Sequence, residues 1–173
     1  IREHETTLIF TNSRYKTERT ALRLNELSAE TSDGGEQSPV SVGAHHGSMS
    51  KEVRLDMENQ LKSGELDALV ATASLELGID MGAVDLVIQI ETPTSVASGM
   101  QRIGRANHRY NAPSKALLVP ANRFEVVECH AALAAVRDGQ LDGDPRGRGP
   151  RDVLCQHILI TACAGPFEAD ALY

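Results

Sequence analysis

Short apolar runs alternate with longer amphipathic segments through most of this sequence. Five runs contain no charged residue and have the length of strands that are buried on both faces: Thr7 to Phe10, Val40 to Ala44, Ala68 to Ala71, Leu86 to Ile90 and Ala116 to Val119. Between them, Tyr15 to Ala29 and Ser50 to Lys62 carry apolar residues at helical spacing. This alternation predicts an α/β fold in which helices cover both faces of a parallel sheet.

The last third of the chain predicts two helices separated by a linker. Asn122 to Arg137 has an apolar side, whereas Gly139 to Pro150 contains too many glycines and prolines for a regular element. Asp152 to Cys163 predicts a helix that Asp152 caps and that Gly165 and Pro166 end. The predicted organisation is a domain over residues 1–138, a linker over 139–151, and the beginning of a second domain over 152–173, a piece too short to form its own core.

Polar side chains follow several predicted strands, at the edge where parallel sheets bind their ligands. Ser13 and Arg14 would present a hydroxyl group and a guanidinium group to a phosphate, although a solvated turn explains them equally well. His46 and Gly47 follow the second strand in the sequence HHGS. Because adjacent histidines in regular structure cannot converge on one metal ion, no metal site is predicted. His46 either donates to a phosphate or packs the turn.

The sequence TASLELGID, from Thr72 to Asp80, follows the third predicted strand. Thr72 offers a hydroxyl group and a backbone amide to a phosphate, and Gly78 allows close approach of a ligand. Asp80 supplies a carboxylate for a ribose hydroxyl or a bridging hydrogen bond. The segment alone also fits an ordinary strand, turn and helix, but its continuation into the buried run MGAVDLVIQ favours a functional role.

The sequence QRIGRANHR, from Gln101 to Arg109, combines arginines with a glutamine and a glycine. Arg102 and Arg105 lie about one turn apart, so their guanidinium groups can form a fork that meets a polyphosphate. A solvated basic turn is the alternative. Segments 72–80 and 101–109, in this order and at this spacing, resemble motifs V and VI of superfamily 2 helicases, and Asn12 to Arg14 resembles motif IV.

Four segments narrow the resemblance further: HHGSMS, TASLELGIDMGAVDLVIQ, QRIGRANHR and ALLVPANRFEVVECHAAL. From about Thr7 to Asp142 the chain resembles the large helicase-related (Lhr) family of superfamily 2 helicases. The final helix resembles the opening of the winged-helix domain of that family. The resemblance implies a three-layer RecA-like fold of the P-loop NTPase type, which is the second RecA-like domain of such a helicase, followed by a linker and a helical fragment of the winged helix.

The resemblance also implies roles for individual residues. Gln101 and Arg102 are expected to make nucleotide and interdomain contacts, and Arg105 is expected to be the arginine finger at the γ-phosphate of ATP. Many relatives have another arginine three places after the finger. Here His108 occupies that place, so either His108 or Arg109 is expected to act there. Gly78 and Asp80 are also expected on the nucleotide side, and Ser13, Arg14, His46, Gly47 and Thr72 on the nucleic-acid backbone.

Members of the resembled family are ATP-dependent translocases with 3′-to-5′ polarity that unwind DNA or RNA:DNA duplexes, which implies single-stranded DNA or an RNA:DNA duplex as the partner. The chain contains no GxxxxGKS or GxxxxGKT sequence. Mg²⁺ and most ATP contacts are therefore expected in a first RecA-like domain, and these residues alone are expected to be inactive. Two alternatives stay open. One is a DEAD-box RNA helicase domain, whose motif VI normally begins with histidine where this chain has Gln101, and the other is a non-catalytic RecA-like binding module.

The net charge of -7 argues against nucleic-acid binding at first, because phosphate contacts normally leave a basic footprint. Many acidic residues, however, lie outside the predicted binding loops: Glu26, Glu30, Asp33, Glu36, Asp138, Asp142 and Asp144. Aromatic residues make up 3% of the chain, which disfavours recognition by base stacking. No apolar run approaches the roughly 20 residues of a membrane span, and we expect a cytoplasmic, nucleoid-associated bacterial protein without membrane contacts.

Overall fold

The computed structural model describes residues 1–32, 38–76, 84–106, 114–143 and 149–168. Its strands are β1 (Thr7–Phe10), β2 (Val42–His45), β3 (Ala68–Ala71), β4 (Leu86–Ile90) and β5 (Ala116–Val119). Its helices are α1 (Arg14–Ser32), α2 (Lys51–Ser63), α3 (Val96–Ile103), α4 (Arg123–Arg137) and α5 (Arg151–Ala164), and a short 3₁₀ helix spans Ala73–Leu75. The strands form one parallel sheet in the order β2-β3-β1-β4-β5.

The predicted α/β fold with a parallel sheet is confirmed. Four strands have their predicted bounds, whereas β2 begins two residues later than predicted and extends to His45. The amide of Ser41 donates to the carboxylate of Asp67 at 2.7 Å rather than to a neighbouring strand, which delays the start of β2. Helix α1 continues three residues beyond Ala29, its predicted end, and α3 is a helix that the sequence pattern did not predict.

The central strand β1 is buried on both faces. Leu8 and Phe10 point to one face, where they pack in a cluster that includes Leu61 of α2. Ile9 points to the other face and packs with Ala21 of α1. Burial of such side chains contributes about 1.5–3 kcal/mol each. The sheet therefore lies between α1 on one side and α2 and α3 on the other, as a three-layer RecA-like fold requires.

Three helix ends follow local sequence signals. Ser50, directly before α2, accepts a hydrogen bond from the amide of Val53 at 3.3 Å. After α2, Gly64 has a φ of 79°, a left-handed conformation that glycine adopts without a steric penalty. Asn122 caps α4 by accepting from the amides of Phe124 at 2.9 Å and Glu125 at 3.1 Å. These bonds satisfy amides that have no partner within their own helix.

The chain divides into two compact units, Ile1–Asp142 and Gly143–Tyr173. In the first unit, Asp142 of the predicted linker accepts from the amides of Val96 at 2.7 Å and Ala97 at 3.0 Å, and so caps α3. In the second unit, the residue at the N-cap of α5 is Pro150. The prediction that Asp152 caps this helix is wrong, because Asp152 already lies in its first turn. Among the described residues, no helix is long and apolar enough to cross a membrane.

Candidate nucleic-acid and phosphate interface

The carboxyl ends of β2, β3, β1 and β4 lie side by side at one edge of the sheet. Parallel pairing produces this arrangement, because Thr7 pairs with Ala68 on one side and with Leu86 on the other. Backbone hydrogen bonds continue past the strands: the amide of Thr72 donates to the carbonyl of His45 at 3.2 Å, and the amide of Thr11 donates to that of Ala71 at 2.9 Å. The segments that contain Ser13, His46 and Thr72 are thus brought to the same edge.

Ser13 and Arg14 form the beginning of α1 at this edge. The Ser13 hydroxyl accepts from the amide of Lys16 at 3.3 Å, so it takes part in starting the helix. The exposed Arg14 donates from Nη1 to the hydroxyl of Ser48 at 3.1 Å, which joins α1 to the loop after β2. The Arg14 guanidinium group thus lies beside the neutral Ser48 hydroxyl and is exposed, so it can also bind an anion.

His46 packs inside this loop. It is 6% exposed, and its Nε2 lies 2.9 Å from Oε1 of Glu18, while its Nδ1 is buried without a hydrogen-bond partner among the described residues. The structure therefore shows His46 packing the turn, and its contact with a phosphate stays a prediction. Gly47 is exposed, and a Cβ atom at this residue would meet nothing within 4 Å. A ligand can approach the backbone at Gly47.

His45 is a site residue that the sequence pattern missed. Its side chain is fully buried, with Nδ1 2.8 Å from the Ser74 hydroxyl and Nε2 3.1 Å from Oε1 of Glu58. Burial lowers the pKa of His45 below its ordinary value of 6.5, against the opposing effect of Glu58. Neutral His45 thus ties α2 to the turn after β3. The predicted strand ended at Ala44, which hid the inward position of this histidine.

Thr72 opens a short turn that connects β3 to Glu76. Thr72 is half-buried, and its hydroxyl donates to the hydroxyl of Ser74 at 3.3 Å. The 3₁₀ helix follows, with Leu75 fully buried in the core. The Thr72 hydroxyl and backbone are therefore held at the sheet edge by His45 on one side and by Leu75 on the other.

Glu76 and Arg102 form a buried ion pair at the end of this turn. Oε1 of Glu76 accepts from Nε of Arg102 at 2.6 Å, from its Nη2, and from the Ser98 hydroxyl at 2.8 Å. The Arg102 side chain is 3% exposed, and its Nη1 donates to Gln89 at 2.6 Å and Asn12 at 3.3 Å. Its guanidinium carbon also lies 5.3 Å from the centre of the Phe10 ring. Arg102 thus joins α3 to β1, β4 and the Glu76 turn.

Arg102 was expected to contact nucleotide and another domain. All its contacts described above lie inside the first unit, because its guanidinium group is enclosed between the sheet and α3. This geometry favours an internal structural role. Arg105, one turn further, is half-buried and donates from Nη2 to the carbonyl oxygen of Glu76 at 2.8 Å. Gln101 lies on the exposed side of α3.

Four predicted site residues lie outside the described part of the chain: Gly78, Asp80, His108 and Arg109. Within the described part, Arg105 and Thr72 are connected through residue 76, which the sequence pattern did not single out. No group of three His, Cys, Asp or Glu side chains in the described residues could hold a metal ion. The described edge of the sheet therefore offers hydroxyl groups, backbone amides and guanidinium groups, which are ligands for phosphate.

The model of the family described as "Helicase conserved C-terminal domain" matches residues 1–110. The "Lhr helicase/ probable uracil glycosylase" of Mycolicibacterium smegmatis is 42% identical over 197 residues, a match that covers 100% of this chain and 13% of that protein. The "ATP-dependent helicase Lhr-Core" of Saccharolobus solfataricus is 42% identical over 173 residues, covering 100% of this chain and 19% of that protein.

A solved structure of Mycobacterium smegmatis helicase Lhr bound to ssDNA and AMP-PNP is also similar. It has a TM-score of 0.76 and 47% sequence identity, and the match covers 99% of this chain and 22% of that chain. This chain thus spans less than a quarter of each of these longer proteins.

Proposed function

This chain belongs to the helicase conserved C-terminal domain family and to its Lhr-type helicases, and from that premise we propose that it works as the second RecA-like domain of an ATP-dependent translocase on single-stranded DNA. The observation that carries the proposal is the connection between Thr72 and Arg105. Thr72, which is suited to bind a phosphate of the strand, begins the turn that ends at Glu76. Arg105, which is suited to bind a phosphate of ATP, donates a hydrogen bond to the carbonyl oxygen of Glu76. An isolated binding module would have no need of this connection.

On the strand side, the backbone of single-stranded DNA would lie along the carboxyl edge of the sheet. Arg14 supplies a positive charge, Ser13 and Thr72 supply hydroxyl groups, and Gly47 lets the strand approach the backbone. Contacts of this kind bind the sugar-phosphate backbone and leave the bases unread. His46 would support this surface through Glu18. A translocase needs such contacts because it must step along any sequence.

On the nucleotide side, Arg105 would act as the arginine finger toward ATP that is bound mainly by the first RecA-like domain. Its guanidinium group would stabilise the charge that develops as the γ-phosphoryl group leaves, an effect of about 10³- to 10⁵-fold in rate for such fingers. Gln101, Gly78 and Asp80 would line the same side, with His108 or Arg109 as a second cation. We assign Mg²⁺ to the first domain, because this sequence contains no GxxxxGKS or GxxxxGKT motif.

The direction of movement and the full substrate range belong to the same proposal. Family resemblance supports 3′-to-5′ polarity, unwinding of DNA or RNA:DNA duplexes and a role in DNA repair. It also supports assignment of residues 152–173 to the beginning of a winged-helix domain. Of the two alternatives, a DEAD-box RNA helicase is disfavoured by the 42% identity to Lhr-type proteins along the whole chain.

The test uses the full-length helicase with Arg105→Ala or Thr72→Ala. We expect Arg105→Ala to lower the ATPase kcat at least about 10³-fold and leave the Kd for single-stranded DNA within about threefold, because the finger acts in the transition state. We expect Thr72→Ala to weaken the stimulation of ATPase by the strand. Arg23→Ala is the matched control, because Arg23 is an exposed arginine that pairs with Glu26 and Glu30 on its own helix. Equal loss of strand affinity and turnover in Arg105→Ala would contradict this division of roles.

A further inference from the structure

Glu76 ends the turn that begins at Thr72, and its carbonyl oxygen accepts a hydrogen bond from Arg105. We propose that Glu76 is a positioning residue that couples strand contact at Thr72 to the placement of the Arg105 guanidinium group. This inference rests on the proposed function, which assigns Thr72 to the strand and Arg105 to ATP. The family resemblance assigns no role to Glu76. Through Glu76, binding of the strand at Thr72 could change the position of Arg105 at ATP.

The first part of the coupling is the turn from Thr72 to Glu76. The amide of Leu75 donates to the carbonyl of Thr72 at 3.4 Å, and the amide of Glu76 donates to that of Ala73 at 3.1 Å. The buried Leu75 side chain packs the same turn against the core. Because these contacts hold residues 72–76 as one body, a shift at Thr72 is transmitted to Glu76 instead of being absorbed by a loose loop.

The second part is the pair of contacts that Glu76 makes with the Arg105 segment. Its carboxylate binds Ser98 and Arg102, which lie one turn apart on α3. Its carbonyl oxygen accepts from Nη2 of Arg105 at 2.8 Å. The side chain of Glu76 thus fixes the helix that leads to Arg105, and the main chain of Glu76 orients the guanidinium group itself.

Charge and burial strengthen the ion pair between Glu76 and Arg102. The side chain of Glu76 is 13% exposed and that of Arg102 is 3% exposed, so water screens the pair weakly. Hydrogen bonds between ionised partners are roughly twice as strong as neutral ones. Arg102 is held on its other side by Gln89 and Asn12, so it gives Glu76 a fixed point within the sheet.

The experiment measures ATPase and strand binding of the full-length helicase with Glu76→Gln, which keeps the shape of the side chain and removes its charge. We expect the ATPase kcat at saturating single-stranded DNA to fall at least about tenfold, because a displacement of about 1 Å can cost about 10²-fold in rate. The KM for ATP and the Kd for the strand should change less than about threefold, since Glu76 touches neither ligand. An unchanged kcat would overturn the proposal.

A matched control separates this effect from the general loss of a carboxylate. Asp85 is half-buried and also accepts two hydrogen bonds, from the amides of Glu5 at 2.9 Å and Thr6 at 3.2 Å, but it lies before β4, away from the carboxyl edge. Asp85→Asn is expected to leave the strand-stimulated kcat within about twofold of the wild type. A tenfold loss in this control would show that the assay reports fold damage and would overturn the inference from Glu76→Gln.

A double variant tests whether Glu76 acts through stability alone. Glu76→Leu combined with Arg102→Met replaces the buried ion pair by apolar side chains, a change that often preserves stability. We expect the double variant to be at least as stable as Glu76→Gln, because no buried charge is left without its partner, and to keep the low strand-stimulated kcat, because the contacts that fix α3 are not restored. Recovery of both properties would overturn the positioning role, and this comparison remains decisive if Glu76→Gln alone folds poorly.

Arg105→Ala, measured in parallel, distinguishes failure of this inference from failure of the proposed function. If Arg105→Ala loses turnover while Glu76→Gln retains strand stimulation, the coupling role is overturned and the arginine finger stands. If Arg105→Ala retains turnover, the proposed function fails and the coupling role fails with it. Loss of turnover in Arg105→Ala and of strand stimulation in Glu76→Gln, at unchanged strand affinity, supports both.

Discussion

Acidification is expected to destabilise this domain through His45. The side chain is fully buried, and burial lowers its pKa below the ordinary value of 6.5, so the native state keeps His45 neutral where the unfolded chain takes up a proton. Glu58 opposes this shift and Arg54 reinforces it, but desolvation is the largest effect. Neutral His45 therefore makes its full contribution to the free energy of unfolding above pH 6.5. This contribution decreases as the pH falls from 6.5 to the pKa of His45 in the native state.

The size of this effect follows from proton linkage. Each unit by which burial lowers the pKa of His45 corresponds to about 1.4 kcal/mol of unfolding free energy, which is lost as the pH falls from 7.5 to 5.0. Urea unfolding of the wild type and of His45→Gln over this range measures it. At pH 7.5 the variant should be less stable by about 1–3 kcal/mol, because the Ser74 and Glu58 partners lose their bonds.

The difference between the two proteins is the decisive quantity. The other five histidines, at positions 4, 46, 108, 130 and 157, are present in both proteins, so their effects largely cancel in the difference. The stability gap between wild type and His45→Gln should narrow as the pH falls from 7.5 to 5.0. A gap that widens would refute the reasoning, because it would mean that His45 is protonated in the native state and gains from its pairing with Glu58.

Three further predictions concern stability and are measured by urea unfolding. Ser50→Ala should cost about 1 kcal/mol through loss of the cap on α2, whereas Ser48→Ala should leave α2 unaffected. Leu75→Ala should cost about 2–5 kcal/mol, because the fully buried side chain leaves a cavity; a smaller loss would show that the turn collapses into the space. Glu91→Gly should stabilise the domain by up to about 1 kcal/mol, because Glu91 has a φ of 67°, which glycine adopts without strain. The ion pair that is lost, with the half-exposed Lys16, is weak. Destabilisation would mean that this ion pair outweighs the backbone strain.

The elements of the sheet could be predicted closely because the central strands are buried on both faces, whereas Leu117 and Val119 of the edge strand β5 are exposed. Uncharged apolar runs bounded by polar residues then coincide with the strands, as they do for Thr7–Phe10 and Ala68–Ala71. Helix α3 was missed because it is short and contains Ser98 and Gly99, residues that disfavour helices. It forms because Ser95 and Asp142 cap its first turn, and Asp142 is more than 40 residues away in the sequence.

The candidate site could be predicted in its segments and less well in its individual contacts. Local patterns identified the segments around Thr72 and Arg105. They did not reveal that the Arg102 guanidinium faces inward, because this depends on the fit between α3 and the sheet. A signal did exist: Glu76 stands alone between two leucines, and a single carboxylate in an apolar segment requires a buried cationic partner. The partner itself, 26 residues later, emerges from the fold.

The acidic net charge of the chain is compatible with binding to a polyanion because three carboxylates near the carboxyl edge are held by basic side chains. Glu18 contacts His46, Glu76 contacts Arg102, and Glu91 contacts Lys16. Arg14, by contrast, donates to the neutral hydroxyl of Ser48. An approaching phosphate would therefore meet carboxylates whose charge is partly neutralised. It would also meet Arg14, whose positive charge is not compensated by the neutral Ser48 hydroxyl. Local pairing, rather than the sum of charges over the chain, decides the potential that a strand experiences at close range, since exposed charges more than about 10 Å away are screened by salt.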